Sequence, residues 1–126
     1  MKTEKIYIQH EENKQWISNL LFYADELMLM RNSLKEVASK NTSKDVLAQI
    51  EHFQNQLIIQ SDQIDQLKHE INMDNDVINK EVKSNEVAVD HREIKDHSSI
   101  RIRMEVFDRI FNSIRKDLNH FLSKVM

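Results

Sequence analysis

The sequence contains no cysteine, no proline and no glycine. The absence of cysteine excludes disulfide bonds, thiolate metal sites and a cysteine nucleophile. An average chain of this length has about fifteen glycine and proline residues together, and tight hairpins, sheet bulges and phosphate-cradling loops depend on them. The composition therefore predicts long helices with few breaks, and it excludes the glycine-rich nucleotide-binding motifs.

The chain also lacks long apolar runs. No run reaches the roughly 18 residues of a membrane span, and the first residues, MKTEKIYIQHEE, lack the apolar core of a signal peptide. We therefore expect a cytoplasmic protein with no membrane partner.

Neither sign of charge dominates, although the charges are unevenly distributed. Residues 41–82 carry three Lys and eight acidic residues, whereas residues 99–126 carry six Lys or Arg and three acidic residues. The two segments have net charges of opposite sign, which attract each other if the segments pack side by side. A nucleic-acid interface needs a basic face that survives folding, so we expect no nucleic-acid partner.

The most apolar stretch is Trp16–Met30, in which eleven of fifteen residues are apolar. On a helix, most of them fall on one broad face: Trp16, Leu20, Tyr23, Ala24, Leu27 and Met30. This face is wider than the stripe that one partner helix needs, so this helix must contact at least two others. Phe22 and Leu29 lie on the opposite face, and we expect them to contact a second copy of the chain in a homodimer.

The apolar periodicity predicts an all-α protein, with residues 1–126 forming one domain that is an elongated antiparallel bundle of three long helices. The expected segments are helix 1 at about 10–40, helix 2 at about 43–82, an irregular part at about 83–93 and helix 3 at about 94–125. The pattern over residues 72–98 leaves an alternative open, a four-helix up-down bundle with a short helix at about 75–96.

Residues 40–43 form the clearest break. Asn41 can adopt the left-handed conformation that ends a helix, and Thr42 or Ser43 can cap the next one. The inward stripe of helix 1 is expected at Ile17, Leu20, Ala24, Leu27, Arg31, Leu34 and Ala38. Coiled-coil-like stripes are expected in helix 2 at Val46, Ile50, Phe53, Leu57, Gln60, Ile64, Leu67 and Ile71, and in helix 3 at Ile100, Met104, Phe107, Phe111, Ile114, Leu118, Phe121 and Val125.

Histidines and carboxylates form the one candidate metal site. If three helices pack up, down and up, several of these residues gather at one end of the bundle: His10, Asp65, His69, Glu93 and His97. Imidazole and carboxylate together suit Zn, Fe or Mn. The arrangement resembles hemerythrin-like bundles in architecture alone, because the Glu-x-x-His pair of ferritin-type proteins is absent. The alternative is that these histidines are surface or capping residues and that no cofactor binds.

Two arginines lie on or beside the predicted inward stripes and need partners if they are buried. By their level in the bundle, Glu51 is the expected partner of Arg31, and Asp65 that of Arg103. No arrangement of nucleophile and base is evident. The sequence thus favours a non-enzymatic protein that acts through helix-mediated association, with itself or with another protein as an interaction or scaffolding module. A metal-binding bundle is the alternative.

Overall fold

The computed structural model describes residues 2–41, 43–81 and 86–126, and it describes side-chain surroundings for residues 7–41, 43–76, 79 and 97–126. In the described part of the chain there are three helices and no strand: α1 (Lys2–Lys40), α2 (Lys44–Glu81) and α3 (Glu86–Val125). Each is about 60 Å long at 1.5 Å per residue. The predicted all-α fold with three long helices is confirmed.

The break between α1 and α2 is built from side-chain caps. The Asn41 side-chain amide donates to the carbonyl oxygen of Val37 at 2.9 Å. Ser43 caps the start of α2, since its carbonyl accepts from the amide of Leu47 at 3.0 Å and its hydroxyl lies 3.5 Å from the amide of Val46. No described residue has a positive φ. The expectation of a left-handed Asn41 is therefore wrong, because its amide side chain caps the free carbonyl instead.

The three helices bury one continuous apolar core. Ile50, Phe53, Leu57, Ile64, Leu67 and Ile71 of α2 are buried, as are Ile100, Met104, Phe107, Phe111, Ile114, Leu118 and Phe121 of α3. Gln60 is buried within the α2 stripe, and the end positions Val46 and Val125 are partly buried. The stripes predicted for helices 2 and 3 are therefore confirmed.

The predicted stripe of helix 1 is wrong by about one position in its second half. The core residues of α1 are Leu20, Leu27, Met30, Leu34 and Val37. Arg31, which was expected to point inward, is exposed, and Met30 takes its place. Because the apolar surface of this helix is so wide, two overlapping stripes with the same spacing compete in the sequence, and packing selects the one that keeps the guanidinium in water.

Two expected boundaries are also wrong. Helix 1 begins at Lys2 rather than near residue 10, and residues 86–93 are part of α3 rather than irregular. Residues 83–85, the rest of the part expected to be irregular, lie outside the described residues. In both places the sequence has polar residues where the apolar spacing continues backwards, among them the buried Asn13 and His97, so that the apolar pattern ends before the helix does.

Contacts between the helices define an up, down, up arrangement. Asn13 of α1 binds Asp74 near the end of α2, Phe53 of α2 packs on Phe121 of α3, and Tyr23 of α1 packs on Phe111 of α3. Consecutive helices are thus antiparallel, and α1 and α3 are parallel. Across the described residues, none of the helices has an apolar stretch sufficient to cross a membrane.

Candidate functional site

One layer of the bundle core is polar, near the end where α1 begins. Asn13, Asp74 and His97 each follow the inward stripe of their own helix, and their exposed fractions are 0%, 8% and 2%. The amide nitrogen of Asn13 donates to Asp74 Oδ2 at 2.9 Å and to Asn75 Oδ1 at 2.8 Å. We call Asn13, Asp74 and His97 the polar layer. It joins all three helices.

His97 lies between two carboxylates. Its Nε2 is 2.9 Å from Glu12 Oε1 on α1, and its Nδ1 is 3.3 Å from Asp74 Oδ2 on α2. An ionised carboxylate only accepts hydrogen bonds, and a neutral imidazole has one donor nitrogen. Both contacts are therefore satisfied together by the imidazolium form of His97, in which both nitrogens donate.

Burial and charge act in opposite directions on the pKa of His97. Burial alone lowers the pKa of the imidazole, but the hydrogen bonds to Asp74 and Glu12 outweigh it, so the pKa is raised above the ordinary 6.5. Arg101, one turn further along α3, donates to Glu12 from Nε at 3.1 Å and from a terminal nitrogen at 2.6 Å. The Arg101 hydrogen bonds, followed by that of His97, hold the pKa of Glu12 below its usual range.

The ring of His97 is closed off from solvent. The indole of Trp16 stacks on it with 4.8 Å between ring centroids, and Asp74 and Glu12 occupy its two nitrogens. No ring nitrogen is left to bind a substrate or a metal ion. The arrangement supplies a buried, hydrogen-bonded charge that favours one axial register of the helices, because sliding any helix by a turn leaves that charge unpaired.

No three of the predicted metal ligands whose side chains are described lie together. Asp65 and His69 are exposed on α2, His10 is half-buried on α1, and His97 is bound to Glu12 and Asp74. The Asn13–Asp74 contact makes His69 level with about residue 18 of α1 rather than residue 14. The side chain of Glu93 lies outside the described residues. Among those that are described, no group of three or more ligand side chains is placed to hold a metal ion.

Both predicted buried ion pairs are wrong, one because its two residues are exposed and the other because the arginine has a different partner. Arg31 and Glu51 are both exposed. Arg103 forms its ion pair with Glu70, not with Asp65, and both members are more than a third exposed. Asp65 instead lines a shallow groove between α1 and α2 together with Arg31 and Lys68. Water solvates charged side chains at these positions, so no buried partner is required.

A second interhelical anchor, missed by the sequence analysis, joins α1 to α3 near mid-bundle. Arg115 Nε donates to Glu26 Oε2 at 2.7 Å, and its terminal nitrogen donates to Glu26 Oε1 at 2.5 Å. The guanidinium also lies 5.1 Å from the ring centroid of Phe111. Burial, with a smaller effect of Asp108, raises the pKa of the neighbouring Tyr23 to about 12. The Tyr23 hydroxyl is therefore a packing group and not an acid or a base near neutral pH.

The outer face of α1 carries four large apolar side chains that are about half or more exposed to solvent. Leu21, Phe22, Met28 and Leu29 are 49%, 63%, 63% and 67% exposed. We call these four residues the α1 patch. It contains both residues that the sequence predicted for an interface, Phe22 and Leu29. Single exposed apolar residues are ordinary, whereas four on one face of a helix, spread over about two turns with Asp25 at the centre, form a surface of the kind that marks an interaction site.

A second apolar surface lies between α2 and α3, on the side of the bundle away from α1. This groove has a volume of about 310 Å³ and is lined mainly by apolar side chains, including Ile59, Ile102, Val106 and Ile110. Gln60, buried within it, has a carbonyl oxygen without a hydrogen-bond partner among the described residues. The two apolar surfaces are therefore on different faces of the molecule.

In comparisons with known proteins, no family model, no curated protein and no solved structure matches the chain.

Proposed function

We propose that the protein is a non-enzymatic, cytoplasmic helical module that acts through helix-mediated association, with the α1 patch as its contact surface. The observation that supports this most strongly is the exposure of Leu21, Phe22, Met28 and Leu29 on a helix whose other face is already fully used in the core. A bundle that needed only to fold would place polar residues at these positions.

The size of the α1 patch sets the expected affinity. Full burial of a Leu, Phe or Met side chain contributes about 1.5–3 kcal/mol, and these four are already a third to a half buried in the free chain. Two such patches, if fully buried against each other, therefore contribute roughly 7–15 kcal/mol in total. Association itself costs about 4–15 kcal/mol. We expect reversible association that depends strongly on protein concentration.

The polar layer supports a structural rather than a catalytic role for the buried groups. His97 is 2% exposed, and it is closed off by Trp16, Glu12 and Asp74. A catalytic group must reach a substrate. The α1 patch and the groove between α2 and α3, which solvent reaches, are instead apolar and belong to helices, which is the chemistry of helix-on-helix recognition.

Sedimentation velocity over a concentration series tests the proposal. The wild-type chain is compared with a double variant, Phe22→Ser with Leu29→Ser, and with a matched control, Ile58→Ser with Ile102→Ser, which removes two exposed apolar side chains outside the α1 patch. All four positions are exposed, so far-UV circular dichroism and thermal melting should show that each variant folds.

We expect the wild type and the control to sediment faster as concentration rises, and the Phe22/Leu29 variant to remain a monomer. A wild-type chain that stays monomeric at every concentration would refute self-association through the α1 patch. Equal loss of association in both variants would show that the contact is not specific to α1.

A further inference from the structure

The α1 patch has a pattern that fits a second copy of the same chain in one orientation. We propose that two copies pair through α1 in an antiparallel arrangement, with the two-fold axis passing through Asp25. This inference rests on the proposed function and names its partner and geometry. The occupant of the α1 patch is thus the α1 patch of another copy.

Helix geometry determines which residues such an axis brings together. Residues that precede and follow a given position by the same number lie at opposite heights and at opposite angles about the helix. A two-fold axis perpendicular to the helices at Asp25 inverts height but keeps each side chain on its own side of the contact, so it places Phe22 of one copy against Leu29 of the other, and Leu21 against Met28. Every apolar member of the α1 patch then meets another apolar member.

The charges beyond the α1 patch agree with the same axis. Lys14 and Glu36 lie eleven residues before and after Asp25, on the same outer face, and both are exposed. The axis brings Lys14 of each copy opposite Glu36 of the other, where the carboxylate also accepts from Lys40 of its own helix at 3.0 Å. Ser18 and Asn32, also exposed, meet as a polar pair.

A parallel pairing lacks this agreement. With the two-fold axis parallel to the helices, each residue faces the same residue of the other chain, so that Lys14 faces Lys14 and Glu36 faces Glu36. Apolar contacts would survive, but both flanking pairs would become like-charge repulsions. Asp25 of one chain faces Asp25 of the other in both orientations, so this residue does not discriminate between the two orientations. The charge pattern selects the antiparallel one.

Introduced cysteines report directly how the two α1 helices are oriented relative to each other, because the chain has no cysteine of its own. The Ser18→Cys chain, isotopically heavy, is mixed with a light Asn32→Cys chain, equilibrated at a concentration where the wild type associates, and oxidised with copper phenanthroline. Within one helix the two positions are about 21 Å apart, which is beyond the reach of a disulfide. Mass spectrometry under non-reducing conditions identifies which chains are joined.

The antiparallel pairing predicts a disulfide between heavy and light chains and little product joining two chains of the same mass. Disulfides joining Ser18→Cys to itself would overturn the antiparallel orientation while leaving association through α1 intact. No disulfide of either kind, in a mixture that sediments as a dimer, would overturn the pairing about Asp25, while the Phe22/Leu29 variant tests separately whether the α1 patch is the contact surface. A mixture that sediments as a monomer refutes the proposed function as well.

Discussion

The imidazole of His97 on α3 stacks on the indole of Trp16 on α1, with 4.8 Å between the ring centroids and 28° between the ring planes. The stack leaves both ring nitrogens pointing at carboxylates, Glu12 on α1 and Asp74 on α2. A charged imidazolium against an aromatic face gains about 0.5–2 kcal/mol. One side chain of α3 thus ties together both other helices, and its protonation should govern the stability of this end of the bundle.

The stability of the fold should fall as pH rises above neutrality. The pKa of His97 is raised on folding, so its contribution is fully present below the ordinary imidazole pKa of about 6.5 and is lost as pH rises through the raised value. The pKa of Glu12 is lowered, so its contribution is present above the ordinary carboxyl pKa of about 4.5 and is lost in stronger acid. Urea unfolding at about pH 6 and about pH 8.5 should give the larger free energy of unfolding at the lower pH.

The variant His97→Gln should remove most of this pH dependence and cost about 3 kcal/mol near pH 6, because it leaves the buried Asp74 without a cationic partner and Glu12 with Arg101 alone. The variant His69→Gln is the matched control, since His69 is exposed on α2. An unchanged slope of stability against pH in His97→Gln would show that His97 is not the group responsible.

Gln60 should be a position where a polar side chain lowers stability. It is 6% exposed and occupies a core position of α2, and its carbonyl oxygen has no partner among the described residues. Replacing a buried unsatisfied amide by a thioether of similar shape removes a desolvation cost of about 1–3 kcal/mol. Gln60→Met should therefore raise the free energy of unfolding by roughly 1 kcal/mol in urea titration. A loss of stability would mean that this amide is satisfied in solution.

The apolar spacing was sufficient to predict the fold because each of α2 and α3 has one unambiguous stripe. In α1 the apolar surface is wider than the core requires, so Met30 and Arg31 compete for the same inward position, and the sequence pattern alone does not choose between them. The beginnings of α1 and α3 were misplaced for a related reason. Polar residues such as Asn13 and His97 occupy inward positions there, and a search for apolar periodicity passes over them.

The polar layer could be predicted only in part. Continuing the stripes backwards reaches Asn13 and His97, and His97 was expected at this end of the bundle. The partners of His97 could not be predicted, because they depend on the axial register of α1 against α2. The observed register differs from the expected one by about one helical turn, or roughly 5 Å. That shift is enough to replace His69 with Asp74 as the residue facing His97.

Reversing two charges on α1 should weaken and then restore association. In the antiparallel pair, Lys14→Glu places two carboxylates opposite each other at both ends of the contact. We expect a severalfold higher Kd for Lys14→Glu and recovery in Lys14→Glu with Glu36→Lys, as measured by sedimentation. Lys116→Glu, an exposed change of the same sign on α3, controls for net charge. Failure of the double variant to recover would count against this register.

Asp25→Asn should strengthen association. The two Asp25 carboxylates meet on the proposed axis, and like charges at such a distance near the surface cost about 0.5–1 kcal/mol. Removing them should lower the Kd roughly two- to fivefold, with a weaker dependence on salt than in the wild type. Glu105→Gln, which removes an exposed charge from α3, should leave the Kd within error. A weaker Asp25→Asn dimer would contradict the placement of the axis.

Small-angle X-ray scattering of the concentrated wild-type chain tests the pairing of two bundles side by side through α1 most directly, because it reports mass and length together. The chain mass is 15.1 kDa. We predict a particle of twice that mass whose longest dimension is about 70 Å, since an axis through Asp25 offsets two helices of about 60 Å by about 12 Å. A particle with the mass of one chain, or a dimer about 120 Å long as in end-to-end contact, would contradict it.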